Sequence, residues 1–305
     1  MSGAVVVLGN FDGVHLGHQA VISRAVEAGR ESGRRVIAAS FDPHPKSVIR
    51  PGTEPWLLSS PEMRRDLLLS CGVDEVRFIR FDSELSRKSP EDFVRDVLVG
   101  DLGAAEVVVG ENFRFGHKAA GSFEDLARTM AEADGRAYAV EIQSLNGADE
   151  LISSSRIRSL LCEGDAEGAA RLLGRPYAVR GEVVEGDRRG ATIGFPTANL
   201  APEPRVLVPA RGVYAGYAEV LRGSGEHPGG RQRYVACTNV GVAPTFDRQE
   251  NRIEAYLLDF DGDLYGDTVE VSFTQRLRPE KKFSGVEELK AQISADVQRA
   301  RLIEA

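Results

Sequence analysis

Val5-Val6-Val7-Leu8-Gly9-Asn10-Phe11-Asp12-Gly13-Val14-His15-Leu16-Gly17-His18 is the stretch that decides how this chain is read. Four large apolar residues in a row fit a strand buried on both faces, and the glycines that follow fit a sharp strand-to-helix turn. Such a turn aims backbone N–H groups and the positive end of a helix at one point, which suits a phosphate chain. The paired histidines admit three readings. Zinc needs a third and usually a fourth ligand, and no nearby Cys or His cluster supplies one. A plain glycine-rich connection is the commonest fate of a short Gly pattern, but it leaves the Asn, the Asp and both His residues without a role. The reading adopted here is a His-x-Gly-His nucleotide turn, with both imidazoles on ATP phosphates, stabilising the transition state at the α-phosphorus.

Outward from this turn, Val21, Ile22, Ala25 and Val26 recur at helical spacing, predicting a strand over 4–9 and a helix over 17–32. Residues 36–41 read as the next strand, ending at Phe41-Asp42-Pro43-His44-Pro45. The two prolines there predict an extended loop, with His44 at the carboxyl edge of the sheet. Ser59-Ser60-Pro61-Glu62 carries helix-start chemistry for a helix to about Cys71, and residues 76–81 read as a strand. Ser89-Pro90-Glu91-Asp92 repeats the helix start, with Phe93, Val94, Val97 and Leu98 as the apolar stripe. Val107-Val108-Val109-Gly110 then runs into a loop holding Asn112, Phe113 and Phe115, at the strand end where open parallel sheets bind ligands. A helix capped by Ser122 and a strand over 137–142 complete the alternation of a doubly wound parallel α/β sheet.

Ser153-Ser154-Ser155-Arg156-Ile157-Arg158 closes this half. Alone it is a helix cap with solvated arginines; beside the histidine turn it reads as a second phosphate clamp. After a short helix over 167–173, Gly174-Arg175-Pro176 marks the expected boundary, giving domains 1–175 and 176–305. Beyond it, runs at 178–184, 213–221, 233–240, 253–259 and 268–273 are short, rich in Val and Tyr, and separated by turn residues. They predict a small antiparallel barrel, followed by a helix over 286–303. Residues 222–232 read as a flexible hairpin connection.

The glycines Gly186, Gly190 and Gly194 let backbone approach phosphates, and Thr197 and Asn199 are neutral oxygen donors suited to Mg²⁺ shared with ATP. A tight hairpin with turn capping explains either fragment alone. Glu254 shares a strand face with Tyr256 and Leu258. If that face is the barrel interior, the carboxylate needs a partner or a job, such as accepting a proton from a substrate hydroxyl; on an edge strand it would face solvent. A formal net charge of −8 over 305 residues argues against nucleic-acid or membrane-surface partners. Cys71, Cys162 and Cys237 are odd in number and widely spaced, which fits reduced thiols. No apolar run approaches a membrane span, so a soluble cytoplasmic protein is expected.

In their order, these motifs resemble the bacterial bifunctional riboflavin kinase and FMN adenylyltransferase family along nearly the whole chain. The resemblance rests on 9–18, 41–45, 110–116 and 153–158 in the first half. In the second it rests on 194–199, Gly212-Val213-Tyr214, Asn239-Val240-Gly241, Pro244-Thr245-Phe246, Glu254 and Leu264-Tyr265-Gly266. It implies an α/β nucleotidylyltransferase domain that adenylylates FMN to FAD and a barrel that phosphorylates riboflavin to FMN, with Mg²⁺ and ATP used in both. It also implies ATP contacts at Gly9, Asn10, Phe11, Asp12 and Gly17, with His15, His18, Ser153, Ser154, Ser155 and Arg158 around the phosphates. His44, Asn112 and Phe113 would lie near the flavin. In the barrel, Gly186, Gly190, Gly194, Thr197 and Asn199 would meet Mg²⁺ and ATP, and Glu254 would activate the ribityl 5′-hydroxyl.

The chain departs from the family at Ala191, which stands where Arg is usual, at Tyr256 for a frequent His and at Ser155 for a frequent Thr. It also begins almost at its first strand, so an altered edge of the first domain is expected. Loss of the Arg at 191 motivates an alternative, an adenylyltransferase whose kinase half is a silent flavin-binding module. A nucleotidylyltransferase for another phosphorylated substrate is the third reading.

Overall fold

The computed structural model describes residues 3–141, 152–186, 189–222, 232–244 and 249–304. Asp187-Arg188, Thr245-Phe246, most of the 222–232 connection and the end of the 137–142 strand lie outside the described residues. Internal contacts divide the chain into two units, residues 1–154 and 155–305.

The first unit is a five-stranded parallel sheet in the order β3-β2-β1-β4-β5. Its strands are β1 (Ala4–Leu8), β2 (Val36–Asp42), β3 (Glu75–Arg80), β4 (Ala104–Gly110) and β5 (Arg136–Val140). Side-chain alternation sends Val6, Leu8, Ile37 and Val107 to one face and Val5, Val7, Ala38 and Val108 to the other. Helices α1 (Leu16–Ser32) and α3 (Pro61–Ser70) cover the second face with Val21, Ile22 and Leu68. The first face is covered by α5 (Phe123–Glu132) and by α4 (Pro90–Asp92), which runs on as a π-helical stretch Phe93–Asp101. From β1 the chain winds outward to β3, then returns to β4 on β1's other side. Two chain directions therefore diverge between β1 and β4, and parallel sheets leave a crevice there at the carboxyl ends of the strands.

Pro45 does not extend the loop after β2. It opens a short helix, α2 (Pro45–Ile49), with His44 as the cap. A proline at the first helical position lacks only an N–H that would be unsatisfied anyway, so the second proline starts a helix where an extended loop was expected.

In the second unit, α6 (Ser154–Glu163) starts at the boundary, and α7 (Ala166–Leu173) packs on the barrel. The barrel is closed in the order β10-β7-β6-β11-β8-β9, with β6 (Tyr177–Val184), β7 (Ala198–Pro202), β8 (Gly212–Arg222), β9 (Gln232–Pro244), β10 (Gln249–Leu257) and β11 (Thr268–Arg278). Strand β7, absent from the strands expected, closes the barrel between β10 and β6. A short α8 (Arg189–Thr192) precedes β7, and α9 (Val286–Arg301) follows β11. Barrel interior residues include Val179, Tyr214, Val240, Ile253, Ala255 and Phe273, all fully buried. On the outer face, Val213, Ala215, Val235, Cys237 and Leu277 meet Val297 and Ala300 of α9. The helix is pinned by Arg278, whose Nε donates to the buried Asp296 carboxylate at 2.8 Å, and by Arg299 donating to the Leu277 carbonyl at 3.0 Å.

Candidate functional sites in the two units

In the first unit, the turn after β1 is tied down from several directions. Phe11, Gly13 and Val14 sit at φ of +48°, +80° and +41°. For a β-branched residue such as Val14 this is a strained conformation, kept only where surrounding structure over-determines it. The Gly13 N–H donates to Ser59 Oγ (3.1 Å), Ser40 Oγ donates to the Asn10 carbonyl (2.9 Å) and Ser154 Oγ to the Asp12 carbonyl (3.0 Å). Gln19 Nε2 donates to the Val14 carbonyl at 2.9 Å.

Two side chains expected at the nucleotide are interior supports. Asp12 is buried, and its Oδ1 accepts the N–H groups of Leu58 (2.9 Å) and Ser59 (3.1 Å). Phe11 is buried with its ring edge-on to His18, 5.4 Å between centroids. A Cβ at Gly9 would come within 2.9 Å of that ring, so this glycine makes room for the support.

The histidines are ordered by the helix they begin. His15 caps α1, its Nδ1 accepting the His18 N–H at 3.2 Å, and the two imidazoles stack 3.6 Å apart. Because Nδ1 accepts, Nε2 is left as the donor of the His15 ring. His18 Nδ1 has no hydrogen-bond partner although it is shielded from solvent. Burial foremost, then the neighbouring His15 and Arg64, hold His18 well below its ordinary 6.5, so it is a neutral imidazole at physiological pH.

Arg64 on α3 was not singled out by the sequence. It is buried, with Nη1 donating to Ser40 Oγ (3.3 Å), Nη2 to the Ser59 carbonyl (3.3 Å), and Asp12 Oδ1 3.7 Å away. One guanidinium thus joins the β1 turn, the end of β2 and the segment before α3. Its only sequence signal is a charged residue one turn into a helix.

At the same carboxyl edge, β2 and β4 flank β1 and carry the other expected residues. Half-buried His44 accepts the Lys46 N–H at 3.2 Å. Asn112 is exposed beside Glu111, and Phe113 stacks on Phe115 at 5.7 Å. Ser153 is half-buried at the end of the unit; Ser155 and Arg158 follow on α6, exposed and half-buried.

In the second unit, strand register assembles the site. Glu254 on β10 lies directly across from Asn199 on β7 and Asn239 on β9. Asn239 Nδ2 donates to Glu254 Oε2 at 3.4 Å. Arg252, two residues earlier on the same face, directs Nε (3.0 Å) and Nη2 (2.8 Å) at Asn199 Oδ1, with its Nε 3.1 Å from Glu254 Oε1. Neither environment weighed for Glu254 is the one found. Ile253 and Ala255 fill the barrel, so Glu254 and Tyr256 face outward into a cavity roofed by α9.

That cavity, about 570 Å³, is lined by Thr197, Asn199, Glu254 and Tyr256, by Cys237, and by Leu289 and Ile293 of α9. A second cavity of about 220 Å³ lies between Val183, Phe260 and Tyr265, and Thr197 lines both. A Cβ at Gly186 would strike Asn199 Nδ2 at 2.2 Å, and one at Gly190 the Phe195 carbonyl at 2.3 Å, so these glycines allow close packing against the site. Gly194 has φ of +91° and open space beside it. Burial pushes the Cys237 thiol up to about 12, with Asp296 adding and Arg278 opposing.

Among the described residues no group of three or more His, Cys, Asp or Glu is placed to hold a metal. A divalent cation in the barrel would instead use the hydroxyl and carbonyl oxygens of Thr197 and Asn199, hard neutral donors of the kind Mg²⁺ takes beside phosphate. A cation already sits on one of them, the Arg252 guanidinium, which shows that the donor suits positive charge.

Comparison with known proteins gives each half a counterpart. A family described as FAD synthetase matches residues 1–156 and one described as riboflavin kinase matches 173–303. A bifunctional riboflavin kinase/FMN adenylyltransferase of Listeria monocytogenes is 40% identical over 97% of this chain and 91% of its own length. Proteins so named from Bacillus subtilis and Escherichia coli are each 37% identical, over 97% and 98% of this chain and 91% and 92% of their own. The crystal structure of a macrolide-efflux protein from Streptococcus pneumoniae superposes with a TM-score of 0.85 at 34% identity, covering 98% of this chain and 94% of that one. Efflux is said of that protein; among the described residues here no helix is long and apolar enough to cross a membrane.

Proposed function

The chain belongs to the bifunctional riboflavin kinase/FMN adenylyltransferase family, and we propose that each unit performs one of the two transfers at the residues just described. The observation that carries this reading is the presence of two separately built polar centres, one in each unit, at the motifs quoted from the sequence.

In the first unit, ATP lies over the carboxyl ends of β1 and β4, with its phosphates at the start of α1. The helix N-terminus and the imidazoles of His15 and His18 meet phosphate oxygens through N–H groups. A phosphate oxygen of FMN attacks the α-phosphorus, the bond to the bridging oxygen breaks, and pyrophosphate leaves. Hydrogen bonds that tighten as charge builds on the α-phosphoryl oxygens lower the barrier without covalent catalysis. Ser153 and Ser154 support the phosphates, and Arg158 is carried over from the family resemblance as their cation. His44, Asn112 and Phe113 border the flavin.

In the second unit, riboflavin occupies the larger cavity under α9 and the nucleotide the smaller one, which places the transfer at Thr197, where the two meet. Glu254 accepts the proton of the 5′-hydroxyl as its oxygen attacks the γ-phosphorus and ADP departs. Asn239 orients the Glu254 carboxylate. Mg²⁺ at Thr197 and Asn199 supplies charge neutralisation for the phosphates. None of Cys71, Cys162 and Cys237 is in a disulfide, which fits a reducing cytoplasm.

Purified protein incubated with riboflavin, ATP and Mg²⁺ is expected to yield both FMN and FAD on chromatographic separation, and FMN supplied directly is expected to yield FAD. Absence of both products overturns the reading. Tight flavin binding without phosphorylation would instead favour the silent kinase half suggested by Ala191.

A further inference from the structure

Arg252 occupies the donors that the kinase reaction has to free. Its Nε and Nη2 both point at the single oxygen of the Asn199 amide, at 3.0 and 2.8 Å, while its Nε also lies 3.1 Å from Glu254 Oε1. A carbonyl oxygen has two lone pairs, and here both are taken. Mg²⁺ bonds oxygen at about 2.1 Å and demands near-octahedral geometry. An ion on Asn199 would therefore stand within about 5 Å of the guanidinium, two cations against one neutral oxygen. The oxygen cannot serve both.

We propose that Arg252 is a built-in competitor for the divalent cation at Asn199, so that cation uptake with nucleotide expels the guanidinium and in the same movement releases Glu254. This rests on the kinase reading of the cavity and deepens it. Arg252 is a positioning residue: it bears on the reaction through Asn199 and Glu254. Its side chain is 24% exposed and that of Glu254 28%, so water reaches the pair and the guanidinium leaves at low cost. The arrangement links two events. A barrel without cation and nucleotide keeps its carboxylate occupied, and a barrel that has taken both presents a carboxylate ready for the hydroxyl proton.

The test uses the full chain, labelled with ¹⁵N at its six asparagines, with the Asn199 side-chain signal assigned by its loss in Asn199→Asp. Mg²⁺ is titrated at saturating ADP, and the concentration that moves the Asn199 signal halfway is recorded. Arg252→Met is expected to lower that concentration at least fivefold. Arg252→Lys, which keeps a charge but loses the planar fork, is expected to fall between. An unchanged or higher Mg²⁺ requirement in Arg252→Met, with its melting profile intact, overturns the proposal and leaves the kinase reading standing. If Arg252→Met melts early, an unchanged requirement in Arg252→Lys overturns it equally. A wild-type chain whose Asn199 signal ignores Mg²⁺ and ADP overturns the kinase reading and this proposal together.

Discussion

The first unit and the barrel build their candidate sites by different means. In the first, the site is a strained turn whose backbone is held by side chains from β2, the segment before α3 and the start of α6, and whose charge comes from a helix end and one buried guanidinium. In the barrel, the site is a row of side chains on three adjacent strands, placed by register alone. A tethered turn supplies a fixed field, with His18 held neutral by burial. A strand row supplies a carboxylate and a guanidinium sharing two amide partners. The first design suits a step needing only positioning at phosphorus; the second suits a step in which a proton must also move.

The largest effect that tests this contrast is expected from Glu254→Gln, which keeps the shape of the row and removes the base. FMN formation is expected to fall by about 10²- to 10⁴-fold, while FAD formation from supplied FMN stays within twofold, as read by chromatography of the flavins. Parallel loss of both would join the two sites that the comparison separates. His18→Ala is the mirror experiment, with FAD formation down by about 10²- to 10³-fold and FMN formation kept.

Arg64→Met comes next and asks whether the turn is held or self-supporting. Removing the cation leaves Asp12 buried without its nearest opposite charge and should destabilise the first unit by about 3 kcal/mol. In a urea melt followed by probes in each unit, the first unit's transition should move and the barrel's should not. The smallest effect is in pH. His18 binds its proton more weakly folded than unfolded, so stability is full above about pH 6.5 and declines as pH falls from there towards the folded value, by at most about 1.4 kcal/mol per unit. His18→Asn should flatten that decline in the first unit's transition.

The alternation of apolar runs and capped helices made the first sheet legible, because its central strand β1 is buried along its whole length and α3 and α5 carry Ser or Pro signals at their starts. The β7 strand was not legible. Ala198–Pro202 is five residues long and follows a proline, and its place is set by pairing with β6 and β10. The parity of Glu254 with Tyr256 was legible, but which side of the sheet that parity faces was not. Both faces of β10 are covered, one by the barrel interior and one by α9, and a period of two does not distinguish them. Arg64 and Arg252 look in sequence like ordinary charges; one becomes a tie because three segments converge on it, the other a counter-ion because two strands are in register.

Cys237 lines the cavity beneath α9 with its thiol pushed up to about 12 by burial and by the Asp296 carboxylate. A thiolate beside an isoalloxazine ring is a ready nucleophile and electron donor, able to add to the flavin or reduce it. A thiol pushed that far up is held in its protonated form near neutral pH. The helix that roofs the cavity thus also sets its redox character: α9 buries Cys237 against the barrel and holds Asp296 beside it, and both keep the proton on the sulfur.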